Sequence, residues 1–324
     1  MKYYILIFFL CFCLISCQRT NEKMQFNNIQ LFISKINNLN LEFLLYKSNT
    51  KSYASLYSFK TKDFSINSIK KKEDYNHFLF VDNLHIISFD CEAINIETYP
   101  VIGKIVSNFQ WNWGKDNSIL YIPIQDNKFK NCYTLEKKNN KYSQIIEAEK
   151  IFYPFYSNNK NYVFTLSDKG NFNYKNDTIL EIPFLTNDII VNSNFISINN
   201  NNNNIAYIWN LNKSNNFITI FENTKIIANS KNLFFYIQFE KQNNFKLYKY
   251  DIESKKNEYM KNFQSNNENI LHSIIADYNE KKKMLALLLQ YECMDKNKII
   301  LIDINTNKDF EILEGAFTSV FFVD

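Results

Sequence analysis

The sequence predicts an all-β fold built from repeated four-stranded units. Short runs rich in Ile, Phe, Tyr, Leu and Val recur along the chain, and many of them alternate apolar and polar residues as half-buried strands do. Clusters of Asn, Lys, Asp and Ser separate the runs at intervals of roughly 8–15 residues, which is typical of an all-β protein. Clear examples are residues 118–124, 162–166, 205–209 and 217–221.

Long helical periodicity is largely missing, with one exception at the start of the series. Ile29, Phe32, Ile33 and Ile36 would share one face of a helix. The same stretch also fits a first strand, and the sequence does not separate the two.

A pair of apolar residues seven positions apart recurs, and it encloses a polar turn that opens a strong strand. The clear pairs are Trp113/Leu120, Phe155/Tyr162, Ile198/Ile205 and Tyr278/Leu285, and the weaker ones are Ile36/Phe43, Phe80/Ile87 and Ile227/Phe234. On average they follow one another at about 40 residues, the length of one four-stranded unit in a radially repeated fold.

Two segments near the C-terminus, 247–256 and 300–308, share a second pattern. Each contains a strand that ends in Asp-Ile-x-Ser/Thr-x-Lys, and another strand follows. The Asp carboxylate and the Ser/Thr hydroxyl are expected to cap backbone N–H groups in a tight hairpin. After the last hairpin, residues 316–323 form an apolar strand that could pair with the first unit and close a ring, or simply end a β-sandwich.

The strand–turn–strand from Trp113 to Tyr121 resembles the repeated motif of TolB-type and WD40-like β-propellers, and the Asp-Ile hairpin resembles the outer hairpin of the same blades. The resemblance implies a β-propeller of four-stranded blades over residues 29–324. Seven pairs favour seven blades, with six or eight also compatible, and a sandwich is the alternative architecture.

The first seventeen residues resemble the signal peptide of bacterial lipoproteins. A short apolar run ends in Leu14-Ile15-Ser16-Cys17, which is similar to a lipobox. An ordinary secretory signal with a coincidental Cys, or an anchor helix, is the alternative. Leu14 at −3 suits a lipobox better than a small-residue cleavage site, and polarity begins at once after Cys17.

The resemblance implies a diacylglycerol on the Cys17 sulfur, cleavage before Cys17 and an N-acyl chain. The expected layout is a signal peptide at 1–16, the lipidated Cys and a polar tether at 17–28, and one propeller domain at 29–324. Membrane attachment would then need no transmembrane segment. Gln18 after the Cys, rather than Asp, favours the outer membrane.

The amino-acid composition argues against a nucleic-acid partner and indicates which residue replaces glycine in turns. The chain has 51 Asn but one Arg and 4 Gly. A single Arg cannot form the guanidinium clusters that bind nucleic acid, so no nucleic-acid partner is expected. Asn is expected to replace Gly in turns with positive φ. The lysine runs within 69–72 and 281–283 and the Asn199–Asn204 run are expected to be solvated turns or loop tips.

Three Cys remain in the predicted mature chain: Cys91, Cys132 and Cys293. They allow one disulfide in any of three pairings, but buried free thiols are expected because no C-x-x-C spacing occurs. His77 and His85 flank a strand pair and could meet, yet no third ligand is marked, so no metal is assigned. No phosphate loop or nucleophile elbow is present, so no catalytic residue and no cofactor besides the lipid is assigned.

Trp111 and Trp113 are the candidate ligand-binding residues, because they lie two apart on one face of a predicted strand. Either they pack between blades or they form an aromatic platform for a peptide or sugar. The expected function is a non-enzymatic, lipid-anchored scaffold or binding module for another envelope protein, similar to BamB-like or TolB-like propellers. The alternatives are a propeller hydrolase acting on sugars or peptides, and a surface-exposed host-ligand binder.

Overall fold

The computed structural model describes most of the chain from residue 29 onward. The described residues are 29–37, 40–60, 69–72, 77–81, 85–91, 93, 95–100, 110–124, 131–136, 141–147, 151–157, 160–166, 172–174, 177–182, 189–192, 194–200, 204–211, 217–240, 244–265 and 270–323. The predicted signal peptide, Cys17 and the tether lie outside them. No helix in this described part is long and apolar enough to cross a bilayer.

Within the described residues, twenty-eight strands form seven four-stranded sheets, which we call blades 1 to 7. Blade 1 contains β1 (Gln30–Asn37), β2 (Asn40–Lys47), β3 (Ser52–Lys60) and the last strand, β28 (Phe317–Val323). Blade 2 contains β4 (Lys70–Lys71), β5 (His77–Val81), β6 (His85–Asp90) and β7 (Asn95–Pro100). Blade 3 contains β8 (Trp111–Trp113), β9 (Ile119–Tyr121), β10 (Asn131–Glu136) and β11 (Lys141–Glu147).

The other four blades follow in chain order. Blade 4 contains β12 (Ile151–Ser157), β13 (Lys160–Leu166), β14 (Phe172–Tyr174) and β15 (Asp177–Ile182). Blade 5 contains β16 (Ile189–Val191), β17 (Phe195–Asn200), β18 (Ile205–Asn210) and β19 (Phe217–Glu222). Blade 6 contains β20 (Thr224–Ser230), β21 (Leu233–Phe239), β22 (Phe245–Asp251) and β23 (Lys256–Phe263). Blade 7 contains β24 (Leu271–Asn279), β25 (Met284–Tyr291), β26 (Lys298–Asp303) and β27 (Asp309–Glu314), and two short 3-10 turns span Lys115–Asn117 and Met294–Lys296.

The prediction of an all-β propeller is therefore confirmed. Six blades are antiparallel sheets; in five of them the strands follow one another in chain order, and blade 1 adds the last strand, β28, beside β1. Blade 4 is irregular, because β15 pairs in parallel with β13 and β14 forms the outer edge. The apolar faces of adjacent blades pack against each other, for example Phe235 of blade 6 against Tyr278 of blade 7.

The C-terminal strand closes the ring, as the sequence predicts. β28 pairs antiparallel with β1, and Ile33 lies opposite Val320. Both residues are fully buried. This pairing makes blade 1 from both ends of the chain, and it shows that the ambiguous stretch at residues 29–36 is a strand rather than a helix.

The seven apolar pairs fall one in each blade, but at two different hairpins. Four of them, including Tyr278/Leu285, join the first and second strands, and those two residues face each other directly. Three of them, including Phe80/Ile87, join the second and third strands of their sheets. The number of pairs therefore equals the number of blades. The distance along the chain from one pair to the next is uneven because the pairs do not all fall at the same hairpin of their blades.

The predicted carboxylate cap is present at both Asp-Ile hairpins. Asp251 Oδ1 accepts hydrogen bonds from the amides of Glu253 (2.9 Å) and Ser254 (3.1 Å). Asp303 Oδ1 does the same with Asn305 (2.8 Å) and Thr306 (3.2 Å). Each turn joins the third strand of a blade to the outer strand.

Asparagine replaces glycine in some turns but also joins blades. Among described non-glycine residues with positive φ, Asn204, Asn223 and Asn307 take turn positions. Asn199 does not lie at a loop tip as expected. It is buried in β17, where its amide donates to the carbonyl of Ile226 and accepts from the Ile226 amide, both at 2.8 Å. A side-chain amide can satisfy both backbone groups of an inner strand, which an apolar residue cannot.

Candidate functional site

The inner edge of each sheet is its first strand in blades 2 to 7, and in blade 1 it is β28, which we count as the first strand of that blade. Inner strands of adjacent blades contact one another, as β8 does with β12 and β24 with β28. Polar side chains on these strands meet where the blades converge, as Lys71 of blade 2 and Asp277 of blade 7 do. We therefore take the charged residues of the inner strands as the candidate site.

Two consecutive lysines form the short inner strand of blade 2. Lys70 lies opposite Leu79 and Lys71 opposite Phe78. Successive side chains on a strand point to opposite faces. Lys70 accordingly contacts blades 3 and 4, whereas Lys71 contacts blade 7 on the other side.

Lys71 forms an ion pair with Asp277, which lies on the inner strand of blade 7. The two side chains are 12% and 15% exposed, so the pair is largely screened from solvent. The same oxygen, Asp277 Oδ2, accepts a hydrogen bond from the backbone amide of Phe322 at 2.8 Å. Since Phe322 belongs to β28, this carboxylate joins blades 2, 7 and 1 at the closure of the ring.

Lys70 is held between two aromatic rings and a carbonyl. Its Nζ lies 4.8 Å from the ring centroid of Trp111 and 4.4 Å from that of Tyr153, and it donates a hydrogen bond to the Trp111 carbonyl. Burial lowers the pKa of Lys70 to about 7. The ring faces favour the cation, so the environment brings the charged and neutral forms close in free energy. A lysine amine that is partly neutral near pH 7 can accept a hydrogen bond or act as a nucleophile.

Tyr153 has an unusual backbone for a large side chain. Its φ is +49°, and the pairing of β12 with β13 shifts register at this point. A non-glycine residue in this region is strained, and such strain persists only where the surroundings hold it. The Tyr153 hydroxyl donates a hydrogen bond to the Ile189 carbonyl of blade 5 at 3.0 Å, which fixes the ring beneath Lys70.

The lysine prediction is wrong for Lys70 and Lys71, because both lie on an inner strand and are partly buried. A strand of two residues is too short to show an alternation of apolar and polar residues. The contacts of Lys70 and Lys71 with other blades join residues that are far apart in the sequence, so no local pattern indicates them. The second run, Lys281–Lys283, does form the turn between β24 and β25, as expected.

The two candidate tryptophans lie on β8 between blades 2 and 3. Trp111 is fully buried and Trp113 is 7% exposed. The Trp113 indole donates a hydrogen bond to the Lys70 carbonyl at 3.1 Å. A platform for a peptide or sugar would need exposed ring surface, and neighbouring strands cover both tryptophan rings. Their burial fits the other interpretation, in which they pack between blades. Trp111 instead supplies one of the ring faces at Lys70.

The two histidines that could have met lie at opposite ends of one hairpin. His77 lies opposite Asp90, with 3.4 Å between Nε2 and Oδ2, and His85 lies at the other end of the same hairpin. Cys91 and Cys132 are free and buried, as expected, and Cys293 is free but exposed. The described residues contain no group of three metal-ligating side chains.

A hydrolase would need a pair of carboxylates at the convergence of the blades. Among the inner strands that the structure describes, Asp277 is the only carboxylate, and Lys71 and the Phe322 amide hold it. The arrangement on these strands is an ion pair beside an aromatic-bound lysine, not a carboxylate dyad.

Comparison with solved structures agrees with the propeller architecture. The chain is similar to TolB from Acinetobacter baumannii, with a TM-score of 0.52 and 8% identity, over 92% of this chain and 67% of that one. It is also similar to a provisionally named 6-phosphogluconolactonase from Bacteroides fragilis, with a TM-score of 0.55 and 10% identity, over 92% of this chain and 98% of that one. A third similar structure is dihydro-heme d1 dehydrogenase NirN, with a TM-score of 0.53 and 7% identity, over 92% of this chain and 75% of that one. At these identities the likeness shows the fold alone. No family model matches the chain, and no curated protein matches it.

Proposed function

We propose that this chain is a lipid-anchored protein of the bacterial cell envelope whose propeller binds another envelope protein. The observation that carries the proposal is the lipobox-like Leu14-Ile15-Ser16-Cys17, followed by a short polar segment and a closed ring of blades. An anchor confines the propeller to a membrane surface and so raises its effective concentration for a partner in the same membrane.

The outer strand of blade 1 supports a protein partner. β3 is the longest outer strand described, and no charged residue interrupts it before Lys60. Tyr53 and Tyr57 are 49% and 41% exposed. Long exposed edges without charge offer unpaired backbone groups to an added strand, and most proteins protect them. In contrast, β23 and β27 carry charged residues along their length.

The hydrolase alternative has less support, because the described inner strands lack a second carboxylate beside Asp277. The host-ligand alternative would be favoured by an electropositive face turned away from the membrane, whereas the lysine-rich face described below lies on the side where the described chain begins. The scaffold and its two alternatives predict different binding partners. Purification of the native protein, followed by identification of the molecules bound to it, therefore distinguishes them.

The first test concerns the anchor. Cys17→Ala is expected to leave an uncleaved precursor without lipid label and without stable membrane association. Metabolic labelling with palmitate, together with fractionation, measures both properties. Normal processing or retained label in the variant would overturn the lipoprotein assignment.

The second test concerns the partner. The native lipoprotein is purified from gently solubilised envelopes, and co-purifying proteins are identified by mass spectrometry. Stoichiometric recovery of an envelope protein, lost with Tyr53→Lys but kept with Tyr259→Lys, would support binding at β3. Tyr259 is a matched control because it is 51% exposed on the outer strand of blade 6. Recovery of the protein alone would contradict a stable scaffold role.

A further inference from the structure

The chain enters the propeller at a defined corner of blade 1. Ile29 exchanges backbone contacts with Ser48, since the Ser48 amide donates to the Ile29 carbonyl at 3.0 Å and the Ile29 amide donates to Ser48 Oγ at 3.0 Å. Gln30 then pairs with Lys47. Ile29, where the described part of the chain begins, therefore lies beside the turn between β2 and β3.

Strand direction decides which turns share that face of the ring. Adjacent antiparallel strands run in opposite directions, so the turn from first to second strand and the turn from third to outer strand lie on one face. The turn from second to third strand lies on the other. We call the first of these the entry face, because β1 begins there.

Exposed lysines are concentrated on the entry face in three adjacent blades. They occupy turns or strand ends of blades 6, 7 and 1, and they are Lys47, Lys51, Lys231, Lys255, Lys256, Lys281, Lys283 and Lys308. The acidic residues of the same turns are fewer: Asp251, Glu253, Glu280, Asp303 and Asp309. Two of these, Asp251 and Asp303, direct a carboxylate oxygen inward to turn amides.

The opposite face of the same blades lacks this excess of lysine. Its described turns and strand ends carry Glu240, Glu292, Asp295 and Glu314 against Lys60, Lys296 and Lys298. In the described part of these three blades, the lysine-rich side is therefore the side on which Ile29 lies.

We infer that the entry face of blades 6, 7 and 1 docks on an anionic phospholipid bilayer. The inference rests on the proposed lipid anchor at Cys17. The twelve residues from Cys17 to Asn28 span at most about 40 Å when fully extended, so the anchor holds this face close to the membrane. Lysines that an anchor holds near an anionic bilayer are attracted to its surface. Attraction of this kind weakens with added salt.

The experiment measures which lysines the bilayer covers. The mature lipidated protein is reconstituted into vesicles of phosphatidylcholine alone or with phosphatidylglycerol, and labelled briefly with a water-soluble amine reagent. Labelling of Lys281, Lys283 and Lys308 is read by mass spectrometry, with Lys296 on the opposite face as the internal control. We expect at least threefold less labelling of the entry-face lysines on anionic vesicles, unchanged labelling of Lys296, and loss of the difference in 0.5 M salt.

A variant keeps the test specific to the surface. The double substitution Lys281→Glu/Lys283→Glu changes two exposed turn residues, so folding is expected to be unaffected. It should remove the difference at Lys308 between anionic and neutral vesicles. Equal labelling of the wild-type lysines on both vesicles would overturn the docking inference.

The same samples separate this inference from the anchor. The mass of the N-terminal peptide reports whether Cys17 carries lipid. A lipidated protein without charge-dependent protection would overturn docking and leave the anchor intact. An unlipidated mature protein that still sediments with anionic but not neutral vesicles would support docking and contradict the anchor.

Discussion

Lys71 and Asp277 form an ion pair that connects blade 2 to blade 7 across the inner strand of blade 1. The same carboxylate binds the Phe322 amide, so one residue holds together the three blades at which the ring closes. The ring closes at this point because blade 1 combines strands from both ends of the described chain.

Removing the acidic partner should be costly. Asp277→Ala leaves Lys71 with a partly buried charge and the Phe322 amide without its acceptor, and we expect a loss of about 2–4 kcal/mol in the free energy of unfolding. Urea unfolding at neutral pH measures it. A double-mutant cycle with Lys71→Met should give a coupling energy of about 1–3 kcal/mol.

The more exposed pair Lys261–Asp309 is the control, because its side chains are 31% and 35% exposed. Asp309→Ala should cost less than about 1 kcal/mol. Equal costs for the two substitutions would mean that the closure pair has no special role.

Lys70 should make stability depend on pH. Its pKa is about 7 in the folded protein, against about 10.4 for an unfolded lysine. Between these values the unfolded chain binds more protons, so the contribution of Lys70 to stability rises with pH across that window. Below pH 7 Lys70 is protonated in both the folded and the unfolded protein, so the folded protein bears the full free-energy cost of burying the charged amine.

Lys70→Met tests this sign. The difference in unfolding free energy between the variant and the wild type should change by about 1–3 kcal/mol from pH 7 to pH 10, in the direction that favours the variant at the lower pH. Lys231→Met is the control, since its side chain is 71% exposed. A difference that is constant from pH 6 to pH 10 for Lys70→Met would contradict a buried, titrating amine.

Asn199 joins blades 5 and 6 through both backbone groups of Ile226. Asn199→Leu keeps a similar volume but leaves a buried N–H and a buried C=O unsatisfied, so we expect a loss of about 2–4 kcal/mol. Asn49→Ala, at an exposed turn position, should change stability by less than about 0.5 kcal/mol. Thermal unfolding monitored by circular dichroism compares them, and a stability of Asn199→Leu equal to wild type would contradict the bridging role.

Local chemistry made much of the fold predictable. The hairpin at Asp303 is visible in sequence because its carboxylate, hydroxyl and turn residues lie within six positions. Tyr278 and Leu285 are visible because a tight turn brings them opposite each other. Lys70 and Asn199 were misplaced for the opposite reason. Their partners, Tyr153 and Ile226, are distant in sequence, and only the convergence of blades brings them together.

The Asp303 turn offers a direct check of that local chemistry. Asp303→Ala removes the acceptor for two backbone amides and should cost about 1–2 kcal/mol. Asp303→Asn keeps an acceptor oxygen and should cost less than half as much. Chemical denaturation of the two variants orders them, and an equal loss for Asn and Ala would show that the charge rather than the hydrogen bonds matters there.

Ring closure itself can be tested with a covalent link. Ser34 of β1 lies opposite Ser319 of β28, and their hydroxyls share a hydrogen bond. In a Cys293→Ser background, which removes the exposed thiol, Ser34→Cys/Ser319→Cys should oxidise to a disulfide that closes almost the whole described chain into one loop. Such a loop restricts the unfolded state strongly, so the free energy of unfolding of the oxidised protein should exceed that of its reduced form by about 2–4 kcal/mol.

Each single-cysteine variant should show no such redox dependence. If the double variant does not form the bond, or if oxidation leaves the unfolding midpoint unchanged, then the two strands do not pair in this register, and closure by the C-terminal strand is wrong.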